Sequence, residues 1–399
     1  MMKKTSTTAP RRPFGLFLGK HLAMAVFLAL LIAVMAAWTP SCGGGGDDDD
    51  DSGDDDTVDD DTVDDDTADD DTADDDTVDD DDTADDDTGD DDTISDYPLD
   101  ETLRLNDIQA LGTHNSYHVE RDGISHPEHR YSHKPLNEQL DIGVRKFELD
   151  THWSESKGFQ VYHIYLVDMV STCDTFTECI SVLKTWSDAH PTHHPFLVLV
   201  ETKGNDNNPI AEHLDELEDE LLAVWPRDRL LTPDDVRGDR ATLREAVLND
   251  GWPALGDVRG KAIFHLHDGG TDRAAYLQMY PGLKGAAMFT DSGANDEWGA
   301  IRIMNDAIGQ FDEIQDAVAD GFLVRTRADS CCDEAIANDH TRAEKALASG
   351  AHFISTDFPE LTDDYDYTFS IPGGTPSRCN PIHAPNECTA YDVEHGVSE

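Results

Sequence analysis

The chain has 399 residues, with 85 aspartates and glutamates against 29 lysines and arginines, which gives a formal net charge of −56 at pH 7. Residues 47–93 hold thirty aspartates and residues 1–42 hold five bases, so the remaining 55 acids and 24 bases leave residues 94–399 at −31. A surface of this charge repels nucleic acids and anionic membranes, which excludes a polyanion-binding module and predicts that any phosphate pocket concentrates a few basic groups.

The first 42 residues have the layout of an export signal. Five basic residues precede an apolar run from Leu22 to Trp38, and small residues follow it. Cys42 stands where a lipoprotein signal is cut and lipidated, although Thr39 and Pro40 depart from the usual residues of such signals. A retained membrane helix and a twin-arginine export route remain alternatives. We expect an exported bacterial protein, either a cell-envelope lipoprotein anchored through Cys42 or a secreted protein.

Residues 43–93 are predicted to form a disordered, Asp-rich linker. After four glycines, short runs of aspartate alternate with Thr-Val, Thr-Ala or Thr-Gly, without a basic residue. Such a tract cannot bury enough apolar surface to offset the entropy lost on folding, and its self-repulsion keeps it extended. A calcium-binding repeat is the alternative, but the tract lacks the glycine turn and terminal glutamate of a calcium loop. We therefore expect a solvated spacer.

Residues 94–399 alternate short β-rich runs with amphipathic stretches, which predicts a single α/β domain with a cysteine-containing C-terminal extension. Eight strand candidates are the number that a (β/α)8 TIM-type barrel requires. Helices are predicted at Pro209–Trp225, Asp312–Asp320 and Asp333–Ala348. The connection between the fifth and sixth strands is too short for a full helix, so we expect an irregular barrel. The strand candidates are Ile108–Leu111, Val144–Leu149, Phe196–Val200, Ala262–Leu266, Ala286–Phe289, Ala300–Met304, Phe322–Val324 and Phe353–Ser355.

Seven cysteines fit an exported protein. If Cys42 carries lipid, six remain for up to three disulfides, and their connectivity is open. The local pairs that we expect are Cys173 with Cys179 and Cys379 with Cys388.

Acids and histidines collect where the first predicted strands end. His114 and Asn115 follow the first strand, and Glu201 ends the third. Glu148 and Asp150 lie two residues apart in the second strand, so their carboxylates point to the same face. In a parallel barrel the carboxyl ends of the strands form the active face. Oxygen ligands of this kind suit calcium, which takes roughly 6–8 oxygens, and histidines suit proton transfer to and from a phosphodiester.

A layer of salt bridges is the alternative explanation for the paired acids. Arg145 and Lys146 are neighbours in the predicted strand, so their side chains point to opposite faces. Only Lys146, two residues before Glu148, shares the face of Glu148 and Asp150. One cation would then face two or three carboxylates, and buried surplus negative charge is costly unless a metal ion neutralises it. The pattern therefore favours a metal site.

The order of these motifs resembles a known family. His-Asn, then Glu-x-Asp, then a second histidine at His163 and a glutamate on the next strand resemble the calcium-dependent phosphatidylinositol-specific phospholipases C. The segments at 131–136 and 139–145 are similar to the bacterial branch of this phospholipase C-like phosphodiesterase superfamily. The resemblance covers about residues 100–360. It implies a phosphoric diester hydrolase that cleaves phosphatidylinositol-type lipids to diacylglycerol and a cyclic inositol phosphate, which water can open.

The resemblance also implies roles for single residues and one bound calcium ion. Glu148 would accept the proton of the attacking hydroxyl, His114 would hydrogen-bond the phosphoryl oxygen, and His163 would protonate the departing diacylglycerol oxygen. Lys203 and Arg325 are assigned to substrate binding, with ordinary surface charges as the alternative. We expect a monomer that acts on a phospholipid or an inositol phosphodiester. The implied calcium ligands are Asn115, Glu148, Asp150 and Glu201.

Two other functions remain open. A glycerophosphodiester phosphodiesterase would use the same barrel and metal, but that family has His-Arg-Gly where this chain has His114-Asn115. A catalytically silent cell-surface binding protein on the same barrel is also possible, since a fold does not fix a function. The presence of both histidines and all three acids argues against it.

The remaining histidines are given structural roles. His265 and His267 are interpreted as core or supporting residues. Two further groups resemble a zinc site in composition but lack close ligand spacing, so zinc is not favoured there. These groups are His126, His129 and His133, and the pair His193-His194.

Overall fold

The computed structural model describes residues 96–121, 129–204, 209–330 and 332–395. The predictions of a signal at 1–42, of lipidation at Cys42 and of a linker at 43–93 lie outside these residues. No helix in the described ranges is long and apolar enough to cross a membrane.

Eight parallel strands form a nearly closed barrel, in the order β6-β5-β4-β2-β1-β9-β8-β7, with the ladder open between β6 and β7. The short strands β3 and β10 pair antiparallel with β2 and β1. The predicted TIM-type (β/α)8 barrel is therefore confirmed. The strands are β1 (Ile108–Thr113), β2 (Val144–Ser154), β3 (Gly158–Val161), β4 (Phe196–Thr202), β5 (Ala262–His267), β6 (Phe289–Thr290), β7 (Ile301–Ile303), β8 (Leu323–Arg327), β9 (Phe353–Thr356) and β10 (Arg378–Cys379).

All eight strand predictions match an observed barrel strand, because most of them are short runs rich in apolar residues that the barrel buries on both sides, although the second also carries Arg145, Lys146 and Glu148. The fifth is the least accurate: β6 begins at Phe289, and the preceding Ala286–Met288 is buried without strand pairing. β3 and β10 were not predicted. They are only four and two residues long, so they show little of the alternation that marks a strand.

Helices cover the outside of the barrel. The predicted helix at 209–225 is interrupted at His213, where the backbone leaves the helical region. The predicted helix at 333–348 is two helices, because Asn338 adopts a left-handed φ of +48° between them. Residues 291–300 carry no helix, as the short connection predicted. The helices are α1 (Leu136–Asp141), α2 (Phe176–Ala189), α3 (Leu214–Val224), α4 (Pro233–Arg237), α5 (Leu243–Asn249), α6 (Leu255–Val258), α7 (Thr271–Met279), α8 (Phe311–Ala319), α9 (Asp333–Ala337), α10 (Thr341–Ala348) and α11 (Ala390–Val393), with 3-10 turns at Leu105–Asp107, Ile210–Glu212, Arg227–Arg229 and Pro281–Leu283.

The C-terminal extension packs on the amino-terminal ends of the strands. β10 pairs with the start of β1, and Glu394 accepts hydrogen bonds from Arg145 at the start of β2, at 3.1 and 2.5 Å. Both predicted disulfides, Cys173–Cys179 and Cys379–Cys388, are present. The residues predicted to form the active site lie at the opposite end of the barrel, at the carboxyl ends of the strands.

Candidate active site

The first turn of the site follows β1 and is tied to β2. The Ser116 N–H donates to the Glu148 carbonyl at 3.0 Å, and the Glu148 N–H donates to Ser116 Oγ at 2.8 Å. Asn115 in this turn has a φ of +43°, a left-handed conformation that asparagine tolerates better than most residues. The turn therefore holds His114 and Asn115 beside Glu148.

Three carboxylates predicted to bind calcium meet at one point. One oxygen from each of Glu148, Asp150 and Glu201 lies within 4.8 Å of the other two. The ladder between β2 and β4 sets Asp150 opposite Glu201. Glu148 and Asp150 are buried, whereas Glu201 is partly exposed. The argument from side-chain alternation that put Glu148 and Asp150 on one face is thus confirmed.

Asp150 is a buried carboxylate with few partners. Its side chain is fully buried, and neither carboxylate oxygen has a hydrogen-bond partner of good geometry among the described residues, although the Tyr117 hydroxyl lies close enough to favour its charged form. Lys203 Nζ lies 3.3 Å from Oδ2. Burial, and after it the charge of Glu201, raises the pKa of Asp150 well above its usual value. A buried carboxylate of this kind is costly for the fold unless a cation compensates for it.

Glu148 is held by two cations instead. Its Oε2 accepts hydrogen bonds from Lys146 Nζ at 2.5 Å and from Arg325 Nη2 at 2.7 Å. Gly112 makes room for this arrangement, since a Cβ there would lie 2.9 Å from Lys146 Cβ and Cδ. Burial alone would raise the pKa of Glu148, but the charges of Lys146 and then Arg325 hold it well below its usual value. The other oxygen, Oε1, lies 3.7 Å from His114 Nε2.

The expectation that one cation faces the acids is wrong. Lys146 shares their face as predicted, but Arg325 reaches Glu148 from β8, and Lys203 beyond the end of β4 contacts Glu201 and Asp150. The alternation of side chains along β2 shows which residues of that strand share a face, but it cannot reveal cations that other strands contribute. Burial, and after it the charge of Arg325, lowers the pKa of Lys146 to about 7, so this lysine compensates only partly at neutral pH.

The described side chains fit a calcium ion. Calcium–oxygen distances of about 2.3–2.6 Å allow ligand oxygens to lie up to about 5 Å apart, and the three carboxylates meet this condition within 4.8 Å. Asp150 offers two oxygens that no hydrogen bond occupies. Asn115 is buried and donates from Nδ2 to Tyr131 Oη at 3.2 Å, a bond that does not involve its amide oxygen. Glu148, Asp150 and Glu201 can therefore supply oxygens of the kind that calcium prefers, and Asn115 as a further ligand stays a prediction.

His114 is oriented by a buried carboxylate that the sequence analysis missed. Its Nδ1 lies 2.8 Å from Asp357 Oδ1, and its backbone carbonyl accepts a hydrogen bond from His133 Nε2 at 2.9 Å. Arg327 Nη1 lies 3.5 Å from His114 Nε2, and Arg327 Nη2 donates to Asp357 at 3.2 Å. Burial, and after it the charge of Arg327, lowers the pKa of His114. His114 thus presents Nε2 toward Glu148 while Asp357 holds Nδ1.

His163 has a similar arrangement. Its Nδ1 lies 3.0 Å from Oδ2 of Asp168, which is buried. Paired backbone hydrogen bonds between Ile164 and Asp168, at 2.8 and 2.9 Å, close a turn that brings Asp168 back beside His163. The neighbouring Tyr162 N–H donates to the Asp150 carbonyl at 3.3 Å, which ties this loop to β2. Each predicted catalytic histidine therefore has a carboxylate on Nδ1.

The two basic residues assigned to substrate binding differ in position. Arg325 is buried, and its guanidinium donates to Glu148, Asn305 and Ser355. Its role in substrate binding stays a prediction that this burial disfavours. Lys203 is partly exposed beside Glu201, so its role as a phosphate ligand also stays a prediction.

The remaining histidines mostly have structural partners. His265 Nε2 and His267 Nδ1 both contact Asp291, at 2.6 and 2.8 Å, which agrees with their supporting interpretation. His193 and His194 are buried, and their rings form hydrogen bonds with neighbouring groups of the protein. The zinc grouping suggested by composition is only partly described, because His126 lies outside the described residues. Of the other two, His133 donates to the His114 carbonyl, and His129 lies beside His163.

A cavity of about 410 Å³ opens at the carboxyl ends of β4 and β5. Its lining includes Thr202, Thr271, Asp268 and Asp272 together with the apolar side chains Pro209, Ile210 and Ala211. It adjoins Glu201 through Thr202, the next residue in the chain.

Comparisons with known proteins agree with this geometry. The model of a family described as phosphoinositide phospholipase C, Ca2+-dependent, matches residues 103–155 and 151–381. The solved structure of the calcium-dependent phosphoinositol-specific phospholipase C of a Gram-negative bacterium, Pseudomonas sp., in a form described as apo and as a myo-inositol complex, is similar to this chain. That likeness has a TM-score of 0.51 and 17% identity, and it covers 71% of this chain and 98% of that one.

A second crystal structure of the Pseudomonas enzyme gives a TM-score of 0.52 and 17% identity, with the same coverage of 71% and 98%. At this identity the likeness shows the fold alone. No curated protein matches the chain. The family match, however, extends over well over half of the sequence and includes every predicted site residue from His114 to Arg325. The chain therefore belongs to the family of calcium-dependent phosphoinositide phospholipases C.

Proposed function

We propose that this protein is a calcium-dependent phosphoric diester hydrolase that cleaves phosphatidylinositol-type lipids to diacylglycerol and a cyclic inositol phosphate. The observation that carries the proposal is the grouping of three carboxylates, one of them buried without hydrogen bonds, with two histidines that each have a carboxylate on Nδ1. An oxygen-rich cation site and two oriented imidazoles are what intramolecular phosphoryl transfer between two alcohols requires.

Asn115, Glu148, Asp150 and Glu201 would hold one calcium ion. When bound, calcium lowers the pKa of a coordinated hydroxyl and offsets negative charge on a phosphate. Glu148 is proposed to accept the proton of the inositol 2-hydroxyl through Oε1, the oxygen that Lys146 and Arg325 leave uncontacted. Asp150 is the alternative acceptor, because its carboxylate belongs to the same group as those of Glu148 and Glu201.

The two histidines take different steps. His114 in its imidazolium form is proposed to donate from Nε2 to a phosphoryl oxygen, while its Nδ1–H donates to Asp357, whose negative charge stabilises the cationic ring. Arg327, 3.5 Å from the same nitrogen, adds positive charge where the phosphoryl oxygens become more negative. His163 is proposed to protonate the departing diacylglycerol oxygen, and Asp168 stabilises the cationic ring before that transfer.

A lipid substrate is supported by apolar side chains next to His163. The turn that returns Asp168 to His163 exposes Tyr165 and Leu166, which are 64% and 68% accessible, and Ile164 lies beside them. Exposed apolar groups grouped at a site edge mark contact with an apolar partner. We propose that they touch the acyl region of the lipid, on the side where the diacylglycerol leaves.

We further propose where the protein works. Export through residues 1–42 and lipidation of Cys42 would anchor it to the cell envelope, and residues 43–93 would hold the barrel at 94–399 away from the membrane surface. Loss of the anchor would give a secreted form. The barrel is proposed to act as a monomer.

The test compares substrates with the purified full-length chain. Rates are measured on phosphatidylinositol vesicles and on soluble glycerophosphodiesters, in calcium and in chelator, with the exposed-residue variant Glu155→Gln as a matched control. Calcium-dependent cleavage of phosphatidylinositol supports the proposal. Preference for glycerophosphodiesters would assign the alternative phosphodiesterase function, and lipid binding without turnover would indicate a catalytically silent binding protein.

A further inference from the structure

One carboxylate oxygen is surrounded by three histidine rings. Asp168 Oδ2 lies 2.9 Å from His118 Nε2, 3.0 Å from His163 Nδ1 and 3.2 Å from His129 Nδ1. Asp168 and His118 are buried, and the other two rings are largely covered. Only one of these contacts, that to His163, is used in the proposed reaction.

Orientation of His163 does not explain the other two rings. A carboxylate oxygen has two lone pairs in its plane, so three ring N–H groups cannot each have an acceptor direction of their own on one oxygen. A single histidine–aspartate pair suffices to orient a catalytic imidazole, as His114 and Asp357 demonstrate in the same site. The convergence of four side chains on one point therefore requires another explanation.

The distances fit three ligands of a tetrahedral metal site. With metal–nitrogen and metal–oxygen distances of about 2.0–2.1 Å, the ligand atoms around a tetrahedral zinc lie about 3.3 Å apart. The separations of 3.0 Å from Asp168 Oδ2 to His163 and 3.2 Å to His129 are within a few tenths of an ångström of that value, and a ligand atom of each of these three residues lies within 4.8 Å of the other two. His118 is outside this group, so it contacts Asp168 without sharing the ion.

The backbone fixes at least three of the four side chains. Ile164 and Asp168 form an isolated β-bridge, which joins the segments that carry His163 and Asp168. His118 forms a second bridge with Ser171. Such prior positioning favours a ligand set that binds without first ordering a loop.

We propose that His129, His163 and Asp168 form a transition-metal site that takes Zn2+ and inhibits the enzyme, with His118 holding Asp168 by a hydrogen bond. Two imidazoles and one carboxylate, with a fourth position open to water, suit zinc, whereas the oxygen set around Asp150 suits calcium, so the two sites select different ions. A metal ion on His163 Nδ1 takes the position of a proton. The ring then cannot become the imidazolium that protonates the leaving oxygen. The site stands on geometry alone, and its inhibitory effect rests on the proposed function.

The binding test uses Co2+ as a spectroscopic probe on the full-length chain with calcium present. Tetrahedral cobalt absorbs visible light much more strongly than the octahedral cobalt that the Asp-rich tract or the calcium carboxylates would bind. We expect an intense band that saturates at one equivalent and is displaced by one equivalent of Zn2+. His129→Ala should lose the band, whereas Asp150→Asn, which alters the other cluster, should retain it. Only weak octahedral bands, or an equal intense band in His129→Ala, would overturn the site.

If calcium raises the Tm of His129→Ala, that variant is folded; if it does not, His129→Gln is used in its place.

Inhibition is measured on phosphatidylinositol vesicles. We expect Zn2+ to lower the rate at least tenfold in the wild type, and the His129 variant to need at least tenfold more Zn2+, the loss typical when a supporting metal contact is removed. An intense cobalt band in a protein without phosphodiesterase activity would retain the metal site and reject the proposed function. A band without inhibition by Zn2+ would reject the inhibitory effect.

Discussion

Replacing Asp150 with asparagine should change thermal stability in opposite directions without and with calcium. Without calcium the buried carboxylate of Asp150 is repelled by Glu201 and Glu148 and attracted by Lys203, 3.3 Å away, with a smaller favourable contribution from the Tyr117 hydroxyl. The amide keeps the shape of the side chain, removes the charge and can donate a hydrogen bond to either glutamate. The variant should therefore be more stable than the wild type in chelator and less stable in calcium, where a ligand has been lost.

The size of the effect follows from the distances. Two unit charges about 4.8 Å apart repel by about 3.5 kcal/mol at an effective dielectric constant of about 20. Asparagine removes two such repulsions and one comparable attraction, so the net gain without calcium is about 1–3 kcal/mol. A gain of this size raises Tm by about 2–5 °C in a domain of about 300 residues. Calcium at about 100 times its Kd stabilises the wild type by about 2.7 kcal/mol. This is more than most of the range of about 1–3 kcal/mol that the asparagine gains without calcium, so a variant that no longer binds calcium should be the less stable protein when calcium is present.

The pH dependence provides a second measurement on the same variant. The pKa of Asp150 is raised in the folded state above the unfolded value of about 3.9, so the folded protein binds the extra proton more tightly. Without calcium, wild-type stability should therefore fall as pH rises from about 4 through the folded pKa of Asp150, and Asp150→Asn should lack this fall. Melting curves in chelator and in calcium, with Glu155→Gln as the control, give both results. An equal calcium-induced rise of Tm in the wild type and in Asp150→Asn would refute the reasoning.

Three further predictions concern catalysis and anchoring. His163→Ala should lose roughly 10²–10⁴-fold in rate on phosphatidylinositol but much less on a nitrophenyl inositol phosphate, whose leaving group needs no proton, while His114→Ala should lose activity on both. Equal losses of both variants on both substrates would refute these roles. Leu166→Ser should weaken cleavage of vesicles but not of a soluble ester, compared by kcat/KM, and an equal loss on both would remove the lipid-contact role. Cys42→Ser should move the protein from the membrane to the soluble fraction, whereas a wild type that is already soluble would contradict lipidation.

The sequence was sufficient for the barrel and for the carboxylate cluster, because both depend on simple periodicity. Most strands are rich in apolar residues that the barrel buries, and the two-residue spacing of Glu148 and Asp150 directs both side chains to the same face. The helix at 333–348 was predicted too long, because the left-handed turn at Asn338 does not interrupt the apolar spacing on either side. Local pattern thus predicted which elements exist better than where they end.

The carboxylates that orient the histidines were missed, although part of the signal was in the sequence. Asp357 follows the end of β9 and Asp291 follows the end of β6, the same position relative to a strand that identified His114. Asp168 offered no such signal, since it reaches His163 through a turn that only the folded loop defines. The burial of Arg325 could not be predicted either, because its partners Glu148 and Asn305 lie on other segments.

The product formed from phosphatidylinositol tests the central claim most directly. Phosphorus NMR would follow vesicles of phosphatidylinositol incubated with the full-length chain, first in calcium, then in chelator, then after calcium is restored. We predict that a cyclic inositol phosphate forms in calcium, that its formation stops in chelator and that it resumes when calcium returns, because Asp150 and its neighbours need the ion. Formation at full rate in chelator, or release of phosphatidate in place of the cyclic ester, would contradict the account.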